Sequence, residues 1–259
     1  IFNKRLKIRT FVLLIHAHML IKTQAIVLRT HKYGESQLII DLLTKSMGCV
    51  TFIQHVQQST KKRIGIPFFQ PLTLLEIEYD HRRNSQLQHF KDISVAYPFK
   101  TLPFDPYKVS IALFSAEFLY NCVRREPSDE ALFDFILNSV RWLDMSSDSC
   151  SNFHLVLMLH LSRFIGFYPT LDDYRQDDFF DLRNGVFCPM PPSHSEYIVP
   201  EEASKIRLLM RMTYESMSLF HFSRHERNRC VRLIIDYYRL HIPSFPEMNS
   251  LSVLETLFQ

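Results

Sequence analysis

Two histidines with helical spacing are the first candidates for chemistry in this sequence. His221 and His225 lie four residues apart, which would place both imidazoles on one helix face as zinc ligands. The zinc-protease motif H-E-x-x-H is not completed, because Arg229 stands where the second histidine would be. A helix that began between the two histidines would separate them, so we expect two surface histidines.

Aspartates and cysteines suggest two further kinds of site. Five aspartates fall between residues 172 and 181, and carboxylates can bind divalent cations. The segment lacks the regular alternation and the glycine of a calcium loop, so we expect a solvated acidic loop. The five cysteines are scattered, the nearest two being 28 residues apart. This spacing argues against a disulfide framework or a cysteine zinc site and is typical of a reducing cytoplasm.

Glycine spacing excludes several classes of nucleotide-dependent enzyme. The chain holds only five glycines, and the two closest, Gly34 and Gly48, are 14 residues apart. A P-loop or a dinucleotide-binding turn needs its glycines within about eight residues, because bare backbone must curl around phosphate. The nucleophile turn G-x-S-x-G is absent for the same reason. Any phosphate contact must therefore come from lysine and arginine side chains.

Charge is distributed unevenly along the chain. Residues 1–18, 19–98 and 99–259 carry net charges of +4, +4 and −5. The basic N-terminal part favours a phosphate-bearing partner, since lysine and arginine release counterions when they meet phosphates. We expect the natural start at Met19, with residues 1–18 an upstream extension; the alternative is a basic arm that contacts an acidic partner. No run of 18 uncharged apolar residues occurs, so no membrane span is predicted.

Residues 19–98 have the pattern of a small β-barrel. Five short runs rich in apolar and β-branched residues are separated by turns of glycine, proline or polar residues. The clearest run, residues 72–79, alternates, with Glu76 and Glu78 on one face and apolar side chains on the other. Five antiparallel strands in a segment this short predict an OB-fold, and an SH3-like barrel is the alternative.

An OB-fold binds single strands through a basic groove with aromatic stacking platforms. The aromatic candidates are Tyr33, Phe52 and Phe90, although Phe52 and Phe90 also suit a barrel core. A solvated loop at 61–63 and a hairpin tip at 82–83 are the alternatives to DNA contacts at those positions. The basic residues that we predict to bind DNA are Arg29, Lys32, Lys45, Lys61, Lys62, Arg63, Arg82 and Arg83.

Residues 99–259 have the periodicity of a helical bundle. Ser128 or Asp129 caps one predicted helix. Asn152 caps another, which is apolar on nearly all sides and ends at Gly166. The later predicted helices cover 201–220, 224–241 and 251–258.

A polar segment at about 167–200 interrupts the predicted helices. We expect a small irregular inserted lobe there, with a short hairpin around Asn184-Gly185. The chain as a whole is therefore predicted to be an α+β protein. An N-terminal five-stranded OB-fold barrel at 19–98 is followed by an all-helical C-terminal domain at 99–259 that carries the inserted lobe.

One stretch carries a family resemblance. Residues 25–48, AIVLRTHKYGESQLIIDLLTKSMG, resemble the opening of the RecO family of bacterial DNA repair proteins. That family shows an L-R-x-x-x-Y-G-E-S/D-x-L-I pattern followed by an L-L-T-x-x-x-G turn. The segments FQPLTLLEIEY and YYRLHIPSFPEMNSLSVL are also similar to members from the Bacteroides group, so the resemblance covers roughly residues 19–259. The matching residues are Leu28, Arg29, Tyr33, Gly34, Glu35, Ser36, Leu38, Ile39, Leu42, Leu43, Thr44 and Gly48.

The resemblance implies a recombination mediator that uses no cofactor and performs no covalent chemistry. Such proteins bind single- and double-stranded DNA and anneal complementary strands coated by single-strand-binding protein. They work with RecR, and often with RecF, to load the recombinase RecA. Their mechanism would be electrostatic capture followed by handover to a partner. A protein-interaction scaffold whose barrel binds a peptide, and not nucleic acid, is the alternative, because the helical half has mixed charge.

Two departures from the family pattern bear on its sites. Many members carry a four-cysteine zinc module in the inserted lobe, where this chain retains only Cys188, so we expect no metal. The usual K-G-x-R after the third strand is replaced by Gln57 and Gln58, with basic residues displaced to 61–63. In the family, the acidic, apolar tail of single-strand-binding protein docks on the helical domain. The residues that we predict for this partner contact are Arg124, Leu119 and Tyr120.

Overall fold

The computed structural model describes residues 19–55, 66–147, 150–172 and 174–257. The predicted upstream extension at 1–18 and the basic residues at 61–63 lie outside the described residues. Among the helices of the described part, none is long and apolar enough to cross a membrane.

Five antiparallel strands form the N-terminal sheet. They are β1 (Met19–Tyr33), β2 (Gln37–Thr44), β3 (Gly48–His55), β4 (Leu74–His81) and β5 (Phe90–Val95). Their spatial order is β3-β2-β1-β4-β5, and the sheet closes into a barrel where Gln88, just before β5, pairs in parallel with Phe52 of β3. At this closure the N–H of Ile53 donates to the Gln88 carbonyl at 3.0 Å. These pairings confirm the predicted five-stranded, OB-like architecture.

Strand β1 is buried on both of its faces, and this joins the two halves of the molecule. Ala25 and Val27 point into the barrel and pack in its internal core. Ile26 and Leu28 point the other way and belong to the large core that the helices form. Because side chains alternate along a strand, one continuous apolar run serves both cores. The barrel and the helical domain therefore share buried apolar surface.

In the described part of the chain, six α-helices follow the barrel, which confirms the predicted helical half. They are α1 (Pro106–Val123), α2 (Glu130–Met145), α3 (Phe153–Leu161), α4 (Pro200–Arg211), α5 (Arg224–His241) and α6 (Leu251–Leu257). Asp105 and Asp129 accept bonds from backbone N–H groups in the first turns of α1 and α2, as expected of N-caps. The central helix α3 is buried on nearly all sides.

Three of the predicted helix details were wrong. Helix α3 ends at Leu161 and not at Gly166. The Asn152 side chain does not cap α3; it is buried, and its amide donates to the carbonyls of Met217 and Phe220. Helix α4 ends at Arg211 and not near residue 220. There the hydroxyls of Thr213 and Ser216 accept bonds from each other's backbone N–H, a local arrangement that competes with helical hydrogen bonding.

The linker between barrel and helices is fastened by a buried carboxylate. Asp144, near the end of α2, accepts backbone N–H bonds from Lys100, Thr101 and Leu102 at 2.9–3.0 Å. The hydroxyl of Tyr97 adds a further bond at 3.0 Å. Burial alone would raise the pKa of Asp144, but these hydrogen bonds outweigh it and hold the pKa below its usual value. The carboxylate thus fixes where the chain leaves the barrel.

The inserted lobe is more ordered than predicted. It contains β6 (Phe179–Asp181), β7 (Val186–Cys188) and β8 (Tyr197–Ile198), which form a three-stranded sheet in the order β7-β6-β8. The predicted hairpin turn at Asn184-Gly185 joins β6 to β7. Gly185 has φ +66, and a Cβ there would lie 2.5 Å from the Tyr237 hydroxyl of α5, so only glycine fits.

Candidate nucleic-acid interface

The hairpin of β1 and β2 extends beyond the rest of the barrel. Strand β1 pairs with β4 only as far as Ile26, whereas its pairing with β2 continues to Tyr33. A register shift between Val27 and Arg29 marks the point where the hairpin leaves the sheet. In OB-folds, oligonucleotides bind on the face of the second and third strands, between the loop joining strands one and two and the loop joining strands four and five. Both loops border this hairpin side of the barrel.

The outer face of β1, β2 and β3 carries aromatic and imidazole side chains next to half-buried isoleucines. His31 lies opposite Ile39, and Ile39 lies opposite Ile53. At the next outward position towards the hairpin tip, Tyr33 is 57% exposed. Tyr33 lies opposite Gln37 of β2, whose amide is 3.0 Å from the imidazole of His55 on β3. Flat, exposed rings of this kind can stack on bases. Tyr33 was predicted from the sequence, whereas the two histidines were not; the signal for them was their place at outward positions of alternating strands.

Phe52 and Phe90 do not contribute to this face. Phe52 is fully buried in the barrel core, and its ring stacks on Phe90 with centroids 4.3 Å apart. The core alternative is therefore confirmed for Phe52, and Phe90 packs against the same cluster. Both rings hold the barrel together and neither is a stacking platform.

Arg29 is held in place from two sides. Its Nε donates to the buried carboxylate of Asp41 at 2.8 Å, and Asp41 also accepts from the Thr51 hydroxyl at 2.6 Å. The guanidinium lies over the ring of Tyr120 on α1, with its central carbon 4.2 Å from the ring centre. Its terminal nitrogens make no hydrogen bond with other described residues and remain available to an anionic ligand.

Arg82 and Arg83 lie in the loop between β4 and β5. Gln88, only 2% exposed, holds this loop against β3. Its side-chain oxygen accepts from the Arg82 N–H at 2.9 Å, and its amide nitrogen donates to the Arg82 carbonyl at 3.1 Å and to the Ser85 carbonyl at 2.8 Å. One buried amide therefore fixes the position of two exposed cations beside the barrel closure. Gln88 was not singled out from the sequence.

Lys45 is engaged within the protein. It lies in the turn between β2 and β3, and its ammonium is 2.9 Å from the Asp134 carboxylate of α2. A hydrogen bond to Asp134 raises the pKa of Lys45, with a further contribution from Glu130. Beside it, Gly48 has φ +67, and a Cβ there would come within 3.3 Å of the Ser128 backbone. This turn docks on the helical domain, and Lys45 is therefore left out of the interface proposed below.

A surface groove of about 370 Å³ lies between the barrel and the helical domain. Leu28, Arg29 and Pro71 form its barrel side. Its one acidic residue, Glu117, accepts N–H bonds from Asn249 and Ser250 at the start of α6. The helical side of the groove is formed by Leu113, Ala116, Glu117, Tyr120, Asn249, Ser250 and Val253.

One of the residues predicted to contact a partner, Leu119, is wrong. Leu119 is 0% exposed because α1 turns it into the helical core, so it cannot contact a partner. Tyr120 does border the groove, and Arg124 lies with its guanidinium carbon 5.7 Å from the centre of the Tyr120 ring. Leu113 and Val253, which the sequence analysis missed, supply exposed apolar surface instead.

The histidines and cysteines in the described part of the chain do not lie in positions that favour metal binding or thiol chemistry. His221 precedes α5, whose first residue is Arg224, so His221 and His225 do not share a helix face. Within the described ranges no group of three histidine, cysteine or acidic side chains is arranged to hold a metal ion. Burial raises the pKa of Cys49 to about 12 and that of Cys230 to about 11, which disfavours their nucleophilic thiolate forms.

Two family models cover nearly all of the described chain. Residues 19–99 match the N-terminal domain of recombination protein O, and residues 103–250 match its C-terminal domain. The chain belongs to the RecO family. This membership confirms the resemblance seen in the sequence, and the boundary between the two matches falls in the linker that Asp144 fastens.

Bacterial relatives of the RecO family resemble the chain along most of its length. A protein named DNA repair protein RecO from Phocaeicola vulgatus is 49% identical over 240 residues, which is 93% of this chain and all of the relative. A protein of the same name from Bacteroides fragilis is 46% identical over 241 residues, with the same coverage. A third, from Azobacteroides pseudotrichonymphae, is 35% identical over 240 residues.

Proposed function

We propose that this protein is a DNA-binding recombination mediator that acts in DNA repair. It anneals complementary single strands and helps to load a recombinase onto DNA coated by single-strand-binding protein, in the cytoplasm and without covalent chemistry. Its partners are single- and double-stranded DNA, RecR, the C-terminal tail of single-strand-binding protein and RecF. Membership of the RecO family and the names of the relatives support this proposal.

The observation that carries the DNA-binding part is that four exposed cations lie on the hairpin of β1 and β2 and on the loop between β4 and β5. Arg29 and Lys32 lie on the extending hairpin, and Arg82 and Arg83 lie on the loop held beside β3. His31 and Tyr33 lie on the same hairpin as Arg29 and Lys32, and His55 is the last residue of β3, the strand beside which the arginine loop is held. The cations attract the phosphates, and the exposed rings offer stacking surfaces to the bases. The basic segment 61–63 follows the same strand β3 and is part of the proposal.

Such a face binds strands without reading their sequence, and this suits annealing. Phosphate contacts carry most of the affinity and are released again by salt or by another polyanion. A strand held by its phosphates keeps the hydrogen-bonding edges of most bases free to pair with a complement. Arginine suits phosphate binding, because guanidinium is charged throughout the physiological range.

The groove between barrel and helices fits the proposed tail of single-strand-binding protein. An acidic and apolar peptide would meet the apolar side chains of Leu113, Tyr120 and Val253 and the cation of Arg29 at the barrel side. The acidic Glu117 is already satisfied by donors from the start of α6. The groove thus offers apolar contact together with positive charge.

Strand annealing tests the proposal directly. Two complementary oligonucleotides are coated with the cognate single-strand-binding protein, and duplex formation is followed by fluorescence transfer between end labels. We expect the protein to accelerate pairing, and the acceleration should fall when single-strand-binding protein lacks its C-terminal tail. If pairing proceeds at the same rate with and without the protein, the mediator function is wrong. Binding of peptides alone, with no DNA bound at low salt, would favour the scaffold alternative.

A further inference from the structure

A cavity of about 300 Å³ opens at the mouth of the barrel, where the hairpin leaves the sheet. Its floor is apolar, formed by the buried side chains of Val27, Leu38 and Phe69. Its rim is polar and positively charged. The remaining lining residues are Arg29, Thr30, His31, Lys32, Gln70 and Pro71.

Two backbone irregularities create this cavity. A register shift between Val27 and Arg29 follows directly on Ile26, the last residue of β1 that pairs with β4, and Leu72 adopts a left-handed φ of +64 that a leucine rarely takes. The N–H of Leu72 donates to the Val27 carbonyl at 2.8 Å, and the Thr30 hydroxyl donates to the Phe69 carbonyl at 2.9 Å. Bulges and strained residues cluster at functional sites. The wall is therefore pinned, and the cavity exists before any ligand arrives.

Three polar side chains of the rim have no hydrogen-bond partner among the described residues. The side chains of His31, Lys32 and Gln70 are exposed and make no hydrogen bond within the described part of the chain. An amide can donate to and accept from the edge of a nucleobase, whereas the two basic groups suit phosphate. An apolar floor with a few polar groups and a volume near 300 Å³ is typical of a small-ligand site.

We propose that this mouth cavity receives a single unstacked nucleobase of a bound single strand. The base lies on the apolar floor, its edge meets the Gln70 amide, and the adjoining phosphates lie on Lys32 and Arg29. The charge of the rim favours a nucleotide over an apolar peptide side chain, since Arg29 and Lys32 border one small opening. This inference rests on the proposed DNA binding but adds a site that electrostatic capture alone does not require.

A scan with abasic nucleotides tests this inference. In a thymidine strand of about eight nucleotides, each base in turn is removed while its sugar and phosphates remain. We expect one position at which removal of the base weakens binding to the wild-type protein about tenfold, near the range measured for single stacked bases. At the other positions the loss of affinity should be smaller.

Two variants assign the effect to the cavity. Thr30→Leu fills it, and Gln70→Ala, at an exposed rim position, removes the amide without threatening the fold. Both should bind the intact strand more weakly and should show no sensitive position, whereas Ser204→Leu on α4 should behave as wild type. Equal tolerance of abasic nucleotides at every position, with strong salt-dependent binding retained, would overturn the cavity and leave the proposed function intact. Failure of the wild-type protein to bind the intact strand would overturn the proposed function itself.

Discussion

The guanidinium of Arg29 lies 4.2 Å from the ring centre of Tyr120, so that a cation of the barrel stacks on an aromatic residue of the helical domain. Arg29 also borders both the mouth cavity and the groove. Thr30 and Pro71 border both sites as well, so the proposed strand site and the proposed partner groove adjoin each other at these three residues.

Removing this arginine should destabilise the fold as well as weaken binding. In Arg29→Ala, the carboxylate of Asp41 stays buried with only the Thr51 hydroxyl as a side-chain partner. We expect the free energy of unfolding to fall by about 1–3 kcal/mol, measured by urea denaturation. Adding Asp41→Asn should recover part of this stability, because the buried charge is then gone. No recovery in the double variant would show that the ion pair is not what stabilises this part of the fold.

The buried amide of Gln88 should control the basic loop between β4 and β5. Gln88→Leu removes three hydrogen bonds that hold Arg82 and Ser85. We expect the salt dependence of single-strand binding to flatten by up to about 1.4, the value for two phosphate contacts at about 0.7 each. The slope is measured by fluorescence anisotropy at several salt concentrations.

A double-mutant comparison separates positioning from general damage. If Gln88 acts through the loop, Gln88→Leu should add little to a variant that already carries Arg82→Ala and Arg83→Ala. Fully additive decreases in affinity would contradict the positioning role.

The basic segment 61–63 should bind phosphates of its own. Neutralising Lys61, Lys62 and Arg63 should weaken single-strand binding and flatten the salt slope by about 0.7 for each phosphate that is no longer bound, or about 2 in total. Replacing Lys205, Arg207 and Arg211 on α4 by glutamine removes the same charge elsewhere and is the matched control. An unchanged slope in the segment variant would show that this segment does not touch the strand.

The carboxylate of Asp144 should make stability depend on pH. Its folded-state pKa lies below the usual value of about 4, so its stabilisation is present above that pH and is lost as pH falls through the folded pKa. We expect Asp144→Asn to reduce the free energy of unfolding by about 2–3 kcal/mol at pH 7, because three backbone N–H groups then lack a charged acceptor. The difference from wild type should shrink below a pH of about 4 in urea denaturation. A constant difference at all pH values would rule out the ionised carboxylate as the cause.

The groove should bind an acidic, apolar peptide through its exposed helical side. Leu113→Glu and Val253→Glu place a negative charge on residues that are 42% and 44% exposed. Each should weaken binding of the C-terminal peptide of single-strand-binding protein by about tenfold or more, measured by anisotropy of the labelled peptide. Met190→Glu, on the inserted lobe, is the control for added charge. Wild-type affinity in both groove variants would place the peptide elsewhere.

The periodicity of the sequence predicted the architecture because burial imposes it locally. Alternation along β4 and the cap at Asp129 are signals that act within a few residues. Capping by the Asn152 side chain and the predicted helix end near residue 220 were wrong, because these side chains or backbone groups have other hydrogen-bond partners. Asn152 is drawn to the carbonyls of Met217 and Phe220, which no local pattern reveals.

The candidate site likewise combines features that the sequence predicted with features that it did not. The sequence by itself determined the barrel, the helical half, the family and the excess of cations in the N-terminal part, since these follow from residue type and short-range spacing. Only the tertiary structure decided that Lys45 forms an ion pair with Asp134, that Leu119 is buried, and that Gln88 hydrogen-bonds the loop that carries Arg82 and Arg83. These outcomes depend on interactions between residues far apart in the chain, and such interactions form only when barrel and helices pack against each other.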